Sequence, residues 1–593
     1  MFLALAGVSS SQGMAQDLLN DNIVDSPFRL ELRPYVTLPS SNDNIISITL
    51  MPGDIRPYVT TQQGQVFVID DVRGVGSETE FFDFESALND NGRDMNGSSG
   101  QGGLQSVAFH PDFNKVGQPG FGKLYTSYRE NRPGSGSLNF LGNTTTSETR
   151  DSVLSEWTYD FNAQEVPSAS FRELFRIKMP KVDHPIKQAK FNQYAIPGDD
   201  DYGMLYLTHG DSNVKHSPTD EPTRLDNALG KMLRINPLQS GGDPYTIPTS
   251  NPFASSVDPD VLKEIYAYGF RNPHTYFFSK DDQGEVHILV GDIGRNNVEE
   301  VNLVLPGANY GWTKREGTFV HKQLEDDFGE GYITGVDPLP ANEATLQYTY
   351  PVAQYDHDAA VGQRSSNNAI ATGFVIRNGS DPNLHNQFIF ADFTDRDSYK
   401  KRELHTDFDE MLAAITQLDP NDPSRDEPVE LTQAIIHSLQ LSLDHDNSPN
   451  TAAQEYDDFL DLLSDSRADI RFGEGAYGEM YISSKRNGTI YLVTNSVPVP
   501  GDFDADGKVT GKDVLLWQQD FSEQGTESAA DANRDDVVDE LDLAIWKAHY
   551  GETWSAPLQV LATVPEPNCT VLMAMAIAGA LAAKPRCFAF RTK

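Results

Sequence analysis

The sequence predicts an all-β main body, a six-bladed β-propeller, followed by a small α-helical calcium-binding module and a C-terminal apolar helix. Three observations lead there. From about residue 27 to residue 497 the chain is rich in Gly, Asn, Asp and Pro, with short β-type runs and no sustained helical periodicity. Within it one strand type recurs at Gln65–Asp70, Lys123–Tyr128, Met204–His209, Val286–Gly291, Gln387–Asp392 and Glu479–Ser484. Six similar strands imply six blades, and their spacing exceeds the roughly 40 to 50 residues of a compact blade. Long loops are therefore inserted on one face, where function is expected to lie. A β-sandwich of unrelated apolar strands is the alternative reading.

The 593 residues allow one large domain with accessories. A formal charge of −41, from 46 basic and 87 acidic side chains, repels phosphate backbones and anionic membranes and argues against nucleic acid as a partner. Both cysteines, Cys569 and Cys587, fall near the C-terminus, so the main body has neither disulfides nor thiol chemistry.

Two stretches interrupt the β pattern. About 404–469 has apolar residues at helical spacing, as in Ile435–Leu441 and Phe459–Leu463, and reads as a partly helical insertion between the last blades. Val497-Pro-Val-Pro500 is a stiff linker. Residues 1–15 form a short apolar run ending in small residues and read as a truncated secretory signal peptide. At the other end Val564-Pro-Glu-Pro567, an apolar stretch Val571–Ala583 and a basic tail with Lys584, Arg586, Arg591 and Lys593 resemble a bacterial PEP-CTERM sorting segment over 564–593. The protein is thus expected to be exported, with membrane contact only through that segment.

Residues 501–551 contain a duplicated loop and helix. The first loop places Asp502, Asp504, Asp506, Lys508 (through its carbonyl), Thr510 and Asp513 at positions 1, 3, 5, 7, 9 and 12 of an EF-hand-type calcium loop. The second repeats the pattern with Asp531, Asn533, Asp535, Val537, Asp539 and Asp542, and Asp513–Trp517 returns as Asp542–Trp546. Asp536 stands where the first copy has Gly507. With one helix after each loop, the pair resembles a type I dockerin, which implies a cohesin-like partner.

Four segments of the main body combine polar groups with the turn residues that fix them. These are Gln101–Phe113; Asp183-His184 with Thr208–Asp211; Tyr268–Pro273; and Gly291–Asn302 with Asn309–Trp312. A His whose second ring nitrogen is held by a carboxylate is a general base, though such pairs also occur as purely structural ones. An Arg in a propeller mouth suits anionic carboxylates, and it can equally bridge blades.

In their joint order these segments, with Gly230–Ile235, resemble the soluble quinoprotein glucose and sorbosone dehydrogenases over roughly Ile45 to Asn495. The resemblance implies a six-bladed propeller using pyrroloquinoline quinone (PQQ) and calcium to oxidise a carbohydrate, passing electrons to an acceptor the sequence does not identify. It implies that His184 is the catalytic base, Asp211 its orienting carboxylate and Arg271 a stabiliser of negative charge on the quinone. Gln101, Asp183, Arg271, Asn272 and Arg377 match positions contacting cofactor or substrate, and carbonyls matching Gly294 and Arg295 would hold the calcium. The chain departs from the family's pattern at Arg377, where Lys is frequent, at Pro185-Ile-Lys-Gln188, which replaces a Gly-rich run, and at His216 in place of glutamine. A non-catalytic propeller that binds carbohydrate or protein at the cell surface is the rival reading.

Overall fold

The structure is a computed structural model. It describes residue 19 and residues 23–551 except 40–43, 72–75, 96, 98–99, 135–137, 214–219, 296, 326–331, 341, 358–367, 378–382, 393–402, 415, 419–430, 432, 445–452, 466, 499–500, 504–507, 522–529 and 531–536. The signal-peptide and sorting-segment expectations, the C-terminal apolar helix, both cysteines and His216 lie outside these residues.

The main body is mainly β and built of four-stranded antiparallel sheets, consistent with a propeller. Strand β1 is Ile23–Thr37. Sheet 1 comprises β2 to β5 (Ile45–Leu50, Pro57–Thr61, Gln65–Asp71, Gly76–Asp83), followed by helix α1 (Phe84–Asp90). Sheet 2 comprises β6 to β9 (Leu104–Phe109, Lys123–Asn131, Arg150–Thr158, Arg172–Lys178), and sheet 3 comprises β10 to β13 (Ile186–Phe191, Leu205–His209, Lys231–Ile235, Ile265–Tyr268). Sheet 4 has β14 to β16 (Pro273–Lys280, Val286–Asp292, Val298–Leu303) and then β20 (Ala353–Asp356). Between those last two strands, β17 to β19 (Arg315–Glu316, Phe319–Glu325, Tyr332–Pro338) form a small separate sheet.

Sheet 5 has β21 to β24 (Ile370–Val375, Gln387–Asp392, Glu403–Asp407, Ile436–Leu443), with β25 (Gln454–Tyr456) on its edge. Sheet 6 has β26 to β28 (Ile470–Glu474, Met480–Ser484, Thr489–Pro498) and takes β1 as its fourth strand. β1 pairs antiparallel with β28 and parallel with β24, so sheets 5 and 6 are continuous. The first strands touch in the cyclic order β2, β6, β10, β14, β21, β26 and back to β2.

Each blade face meets a neighbour, so the inner strands are apolar or buried throughout rather than alternating. All six residues of β6 are buried. The core is correspondingly a series of layers between sheets. Tyr58 and Val66 of sheet 1 pack with Leu104 and Leu124 of sheet 2. Tyr125 and Leu154 pack with Ile186 and Leu205, and Tyr206 and Met232 with Tyr276 and Ile288. Five of the six recurring sequence strands are the second strands of their sheets, but Gln65–Asp70 lies in the third strand of sheet 1. There the second place is taken by Pro57–Thr61.

The stretch 404–469 contains helices α2 (Phe408–Ala413) and α3 (Phe459–Leu463), the latter where helical spacing placed one. Ile436–Leu443, however, is a strand and not a helix. All but one of its eight residues are buried, and a run buried on both faces loses the alternation that marks a strand.

Residues 501–551 carry α4 (Gly511–Asp520) and α5 (Glu540–His549), each begun by a capping box, Thr510 with Asp513 and Asp539 with Asp542. A separate small core joins Phe503, Trp517, Ala530 and Val538. The two halves clasp one another: Trp517 Nε1 donates to the Asp539 carbonyl at 2.7 Å, and Trp546 Nε1 to the Thr510 carbonyl at 2.8 Å. Asp502, Asp513 and Asp542 are buried, whereas Asp504, Asp506, Asp531, Asn533 and Asp535 lie outside the described residues.

Candidate active site

The site forms where strands of sheets 2, 3 and 4 begin or end at one face of the ring. His184 sits just before β10 with φ of +56°, a left-handed conformation that turns its side chain back under the loop. Its backbone N–H donates to Gln101 Oε1 at 2.9 Å, which fixes the loop to sheet 2. Asp211, just after β11, lies 2.6 Å from His184 Nδ1 through Oδ1, and its Oδ2 accepts the Trp312 indole N–H at 2.9 Å. With Nδ1 held by a carboxylate, Nε2 is the nitrogen left to exchange a proton with substrate. Gly210 permits this approach, since a Cβ there would stand 2.5 Å from His184 Cβ.

Burial lowers the His184 pKa and Arg271 adds to the effect, against the opposing pull of Asp211, so the imidazole is neutral near neutral pH. Burial also acts on Asp211, but there His184, Arg271 and Trp312 outweigh it and hold the carboxylate ionised. The pair is thus a neutral base oriented by an anion.

The turn after β13 brings Arg271 alongside. Its carbonyl accepts the Asp211 N–H at 2.7 Å, and its guanidinium carbon lies 5.8 Å from the Trp312 ring centre. Asp292, at the end of β15, takes the N–H groups of Arg271 and Asn272 at 2.9 and 2.6 Å and fixes the turn. Asn272 leaves its side-chain Oδ1 buried without a hydrogen-bond partner. Asp183 accepts from Asn213 Nδ2 at 3.0 Å, and Asn213 N–H donates to Asp211 Oδ1 at 2.6 Å.

His184, Asp211, Arg271, Asn272, Asp183 and Gln101 are therefore brought together. Arg377 is not. It follows β21, whose first residue Ile370 is held by Glu299 at the site face, and the strand carries the chain to the opposite end. There Arg377 pairs with Asp282 at 2.7 Å, in the turn after β14, and packs on Phe408. Gln101 supports the backbone of His184 through its side chain, a positioning contact.

Sequence reasoning missed two supports. Trp312 lay within a quoted segment, but only the fold shows its indole on Asp211. Glu316, in β17, accepts the N–H groups of Arg295, Asn297 and Val298 at 2.7, 2.9 and 3.3 Å and the Asn297 amide at 2.7 Å, so it fixes the backbone at these three residues. Its position in the sequence, outside every segment that stood out, gives no sign of this role.

The Ile293 and Gly294 carbonyls converge on a cation, and the cation on them is Arg271, with Nη1 at 2.7 and 2.5 Å. The donor set suits a hard ion of the calcium kind. An ion at Gly294 requires the guanidinium to turn away, which would free it for an anionic ligand. The half-buried Arg295 guanidinium is held down to a pKa of about 10 by burial and by Arg271. Two arginines and the unpartnered Asn272 Oδ1 thus fit a carboxylate-bearing polar cofactor. A solvent-open cavity of about 830 Å³ between Tyr268, Gln347 and Tyr348 is separate, and neither His184 nor Asp211 lines it.

A ring of β-sheets with a neutral, carboxylate-held histidine beside an arginine at one mouth, joined to a paired loop-helix module, defines a two-part protein of known type. Residues 43–327 belong to the Glucose / Sorbosone dehydrogenase family and residues 500–549 are a Dockerin type I domain. The HIPL1 protein of Arabidopsis thaliana is 26% identical over 376 residues, covering 57% of this chain and 49% of the relative. Quinoprotein glucose dehydrogenase B of Acinetobacter calcoaceticus is 26% identical over 243 residues, covering 40% and 44%. The chain spans about half the length of the curated relatives it matches. The PQQ-bound aldose sugar dehydrogenase structure from Streptomyces coelicolor is 16% identical with a TM-score of 0.41, covering 78% of this chain and 96% of its own.

Proposed function

We propose that the protein is an exported quinoprotein that oxidises an aldose or related carbohydrate hydroxyl, using PQQ and calcium. The observation that carries this is the His184–Asp211 contact of 2.6 Å at the mouth that also holds Arg271. Bound quinone would supply the acceptor for the two electrons and one proton that leave the carbon together as hydride, with calcium polarising it. His184 Nε2 takes the hydroxyl proton. Asp211 keeps the ring in the tautomer that can do so and stabilises the imidazolium, while Trp312 and the Asn213 N–H keep Asp211 ionised. Arg271, swung from the Gly294 carbonyl, and Arg295 hold anionic oxygens, and Asn272 Oδ1 takes a donor from the ligand. Gly294 and Arg295 carbonyls would serve calcium, a different ion from those of the dockerin loops. The dockerin domain supports a cohesin partner and an extracellular or cell-surface location, with residues 564–593 as a sorting segment.

Reconstitution with PQQ and calcium, followed by dye reduction over a sugar panel, tests this reading. Activity in the wild type that falls about 10³-fold in His184→Ala is expected. No activity in the wild type, or full activity in the variant, overturns it. The second reading, a non-catalytic binding propeller, is favoured by the Arg271 guanidinium already being satisfied by Ile293 and Gly294. Under that reading sugar binds equally well to the variant and no dye is reduced.

A further inference from the structure

Beside the mouth lies a second concavity, the solvent-open cavity of about 830 Å³, which is within the size range of sites for small molecules. Three stretches of chain are stitched side by side to form it. Tyr268, at the end of β13, donates its N–H to the Ala308 carbonyl at 3.0 Å, and its own carbonyl accepts the Tyr310 N–H at 2.9 Å. The Asn309 carbonyl in turn accepts the Thr349 N–H at 2.8 Å. Trp312, just beyond Asn309 in sequence, is the residue whose indole holds Asp211, so the cavity adjoins the mouth without including its base.

Two aromatic rings in the lining are held in place by packing. Arg315 covers the Tyr348 ring, its guanidinium carbon 4.9 Å from the ring centre, and Phe253 meets Tyr268 edge-on with centres 6.1 Å apart. Within the described residues neither phenol hydroxyl makes a hydrogen bond, and nor does the exposed side-chain amide of Gln347. Burial raises the Tyr348 pKa, against Arg315 and together with Asp220, Glu343 and Tyr268, so this hydroxyl is a neutral donor with Tyr268 close by. Gln347 has a φ of +55°, in the left-handed region that favours glycine, so its long amide is kept there at a conformational cost. Leu346 beside it is 45% exposed and adds apolar surface to the rim.

Free charge is what this lining lacks. In a chain of net charge −41, Glu343 is the one charged side chain among the described residues that line the cavity, and it is buried. Its oxygens take Arg315 Nε and Nη2 at 2.7 and 2.5 Å, and Oε1 also accepts the Tyr350 hydroxyl. The described lining therefore offers no cation to a phosphate or carboxylate and no anion to a metal or an amine. Aromatic faces beside neutral donors and acceptors suit an uncharged sugar chain, whose C–H faces lie on the rings while its hydroxyls bond to phenol and amide.

We propose that this cleft is a second carbohydrate site, separate from the mouth, that binds an uncharged oligosaccharide. Tyr268 and Tyr348 supply the stacking faces and Gln347 the hydrogen bonds that fix the chain between them. The cleft stands on these residues and does not depend on sugar oxidation by His184.

The test is calorimetry of the full-length, quinone-free protein with cellohexaose, xylohexaose and maltohexaose, with glucose and hexagalacturonate as controls. At least one neutral hexasaccharide is expected to bind about tenfold or more tightly than either control. Tyr348→Ala should weaken that binding about tenfold or more and Gln347→Gly about threefold or more, while His184→Ala leaves it unchanged. Gln347→Gly relieves the left-handed backbone, so its Tm should equal or exceed that of the wild type, and binding lost in it is not a failure to fold. The proposal is overturned if no neutral chain binds, if hexagalacturonate binds more tightly, or if both cleft variants keep wild-type affinity. Loss of binding in His184→Ala overturns it too, by placing the chain in the mouth. A wild type that binds a neutral chain in the cleft yet reduces no dye retires the dehydrogenase reading alone.

Discussion

At the scale of the residue, the site turns on how a few groups bias one imidazole. Burial holds the His184 pKa below 6.5, and Asp211 pulls it upward. A neutral base is lost as pH falls through that lowered value, so the acid limb of kcat should lie below pH 6.5. Asp211→Asn removes the upward pull, so the limb should move lower still while kcat drops about 10²-fold or more, read from pH–rate profiles of both proteins. His184, Asp211, Arg271 and Gln101 were legible because each stands in a short motif with its turn residues. Arg377 misled because a motif position says nothing about which end of an inner strand it leaves.

At the scale of the element, two carboxylate clusters hold the face in shape. Glu316 takes three backbone N–H groups and one side-chain amide from the turn bearing Gly294. Glu316→Ala should cost about 3 kcal/mol or more in urea unfolding, because buried donors are left unpaired. In sheet 2, Arg176 is fully buried between Glu130 and Asp151, each at 2.8 Å, and also reaches Glu173. Arg93 and Arg132 complete the group. Arg176→Met strands acids inside the sheet and should destabilise by about 3–5 kcal/mol in the same measurement. The strands themselves were readable where a similar run of β-branched and aromatic residues recurs, as in the recurring second strands. Ile436–Leu443 was not, since an apolar run enclosed on both sides has no periodicity to separate strand from helix.

For the whole molecule, the duplication in 501–551 was the plainest signal in the sequence, because a repeat at constant offset carries its own internal control. The crossed indole bonds of Trp517 and Trp546 tie each helix to the other loop, so the loops should titrate together. Calcium binding followed by tryptophan fluorescence should give one cooperative step, and chelation should abolish the helical signal of α4 and α5 together; two independent steps would contradict the coupling. The main body was legible as repeated sheets, whereas its closure was not: no local pattern announces that the first strand completes the last sheet. β1 lies between β24 and β28, and bonds such as Glu31 with Thr494 and Thr37 with Thr489 join residues 463 and 452 positions apart. That arrangement sets a timetable. A chain emerging N-terminus first holds β1 without its neighbour β24 until Leu443 has been made and without β28 until Pro498, and the ring cannot lock before then. Such a polypeptide stays open and threadable while it is being synthesised, the state in which a chain can pass through a narrow translocation pore, and it becomes resistant to proteases only when its two ends meet.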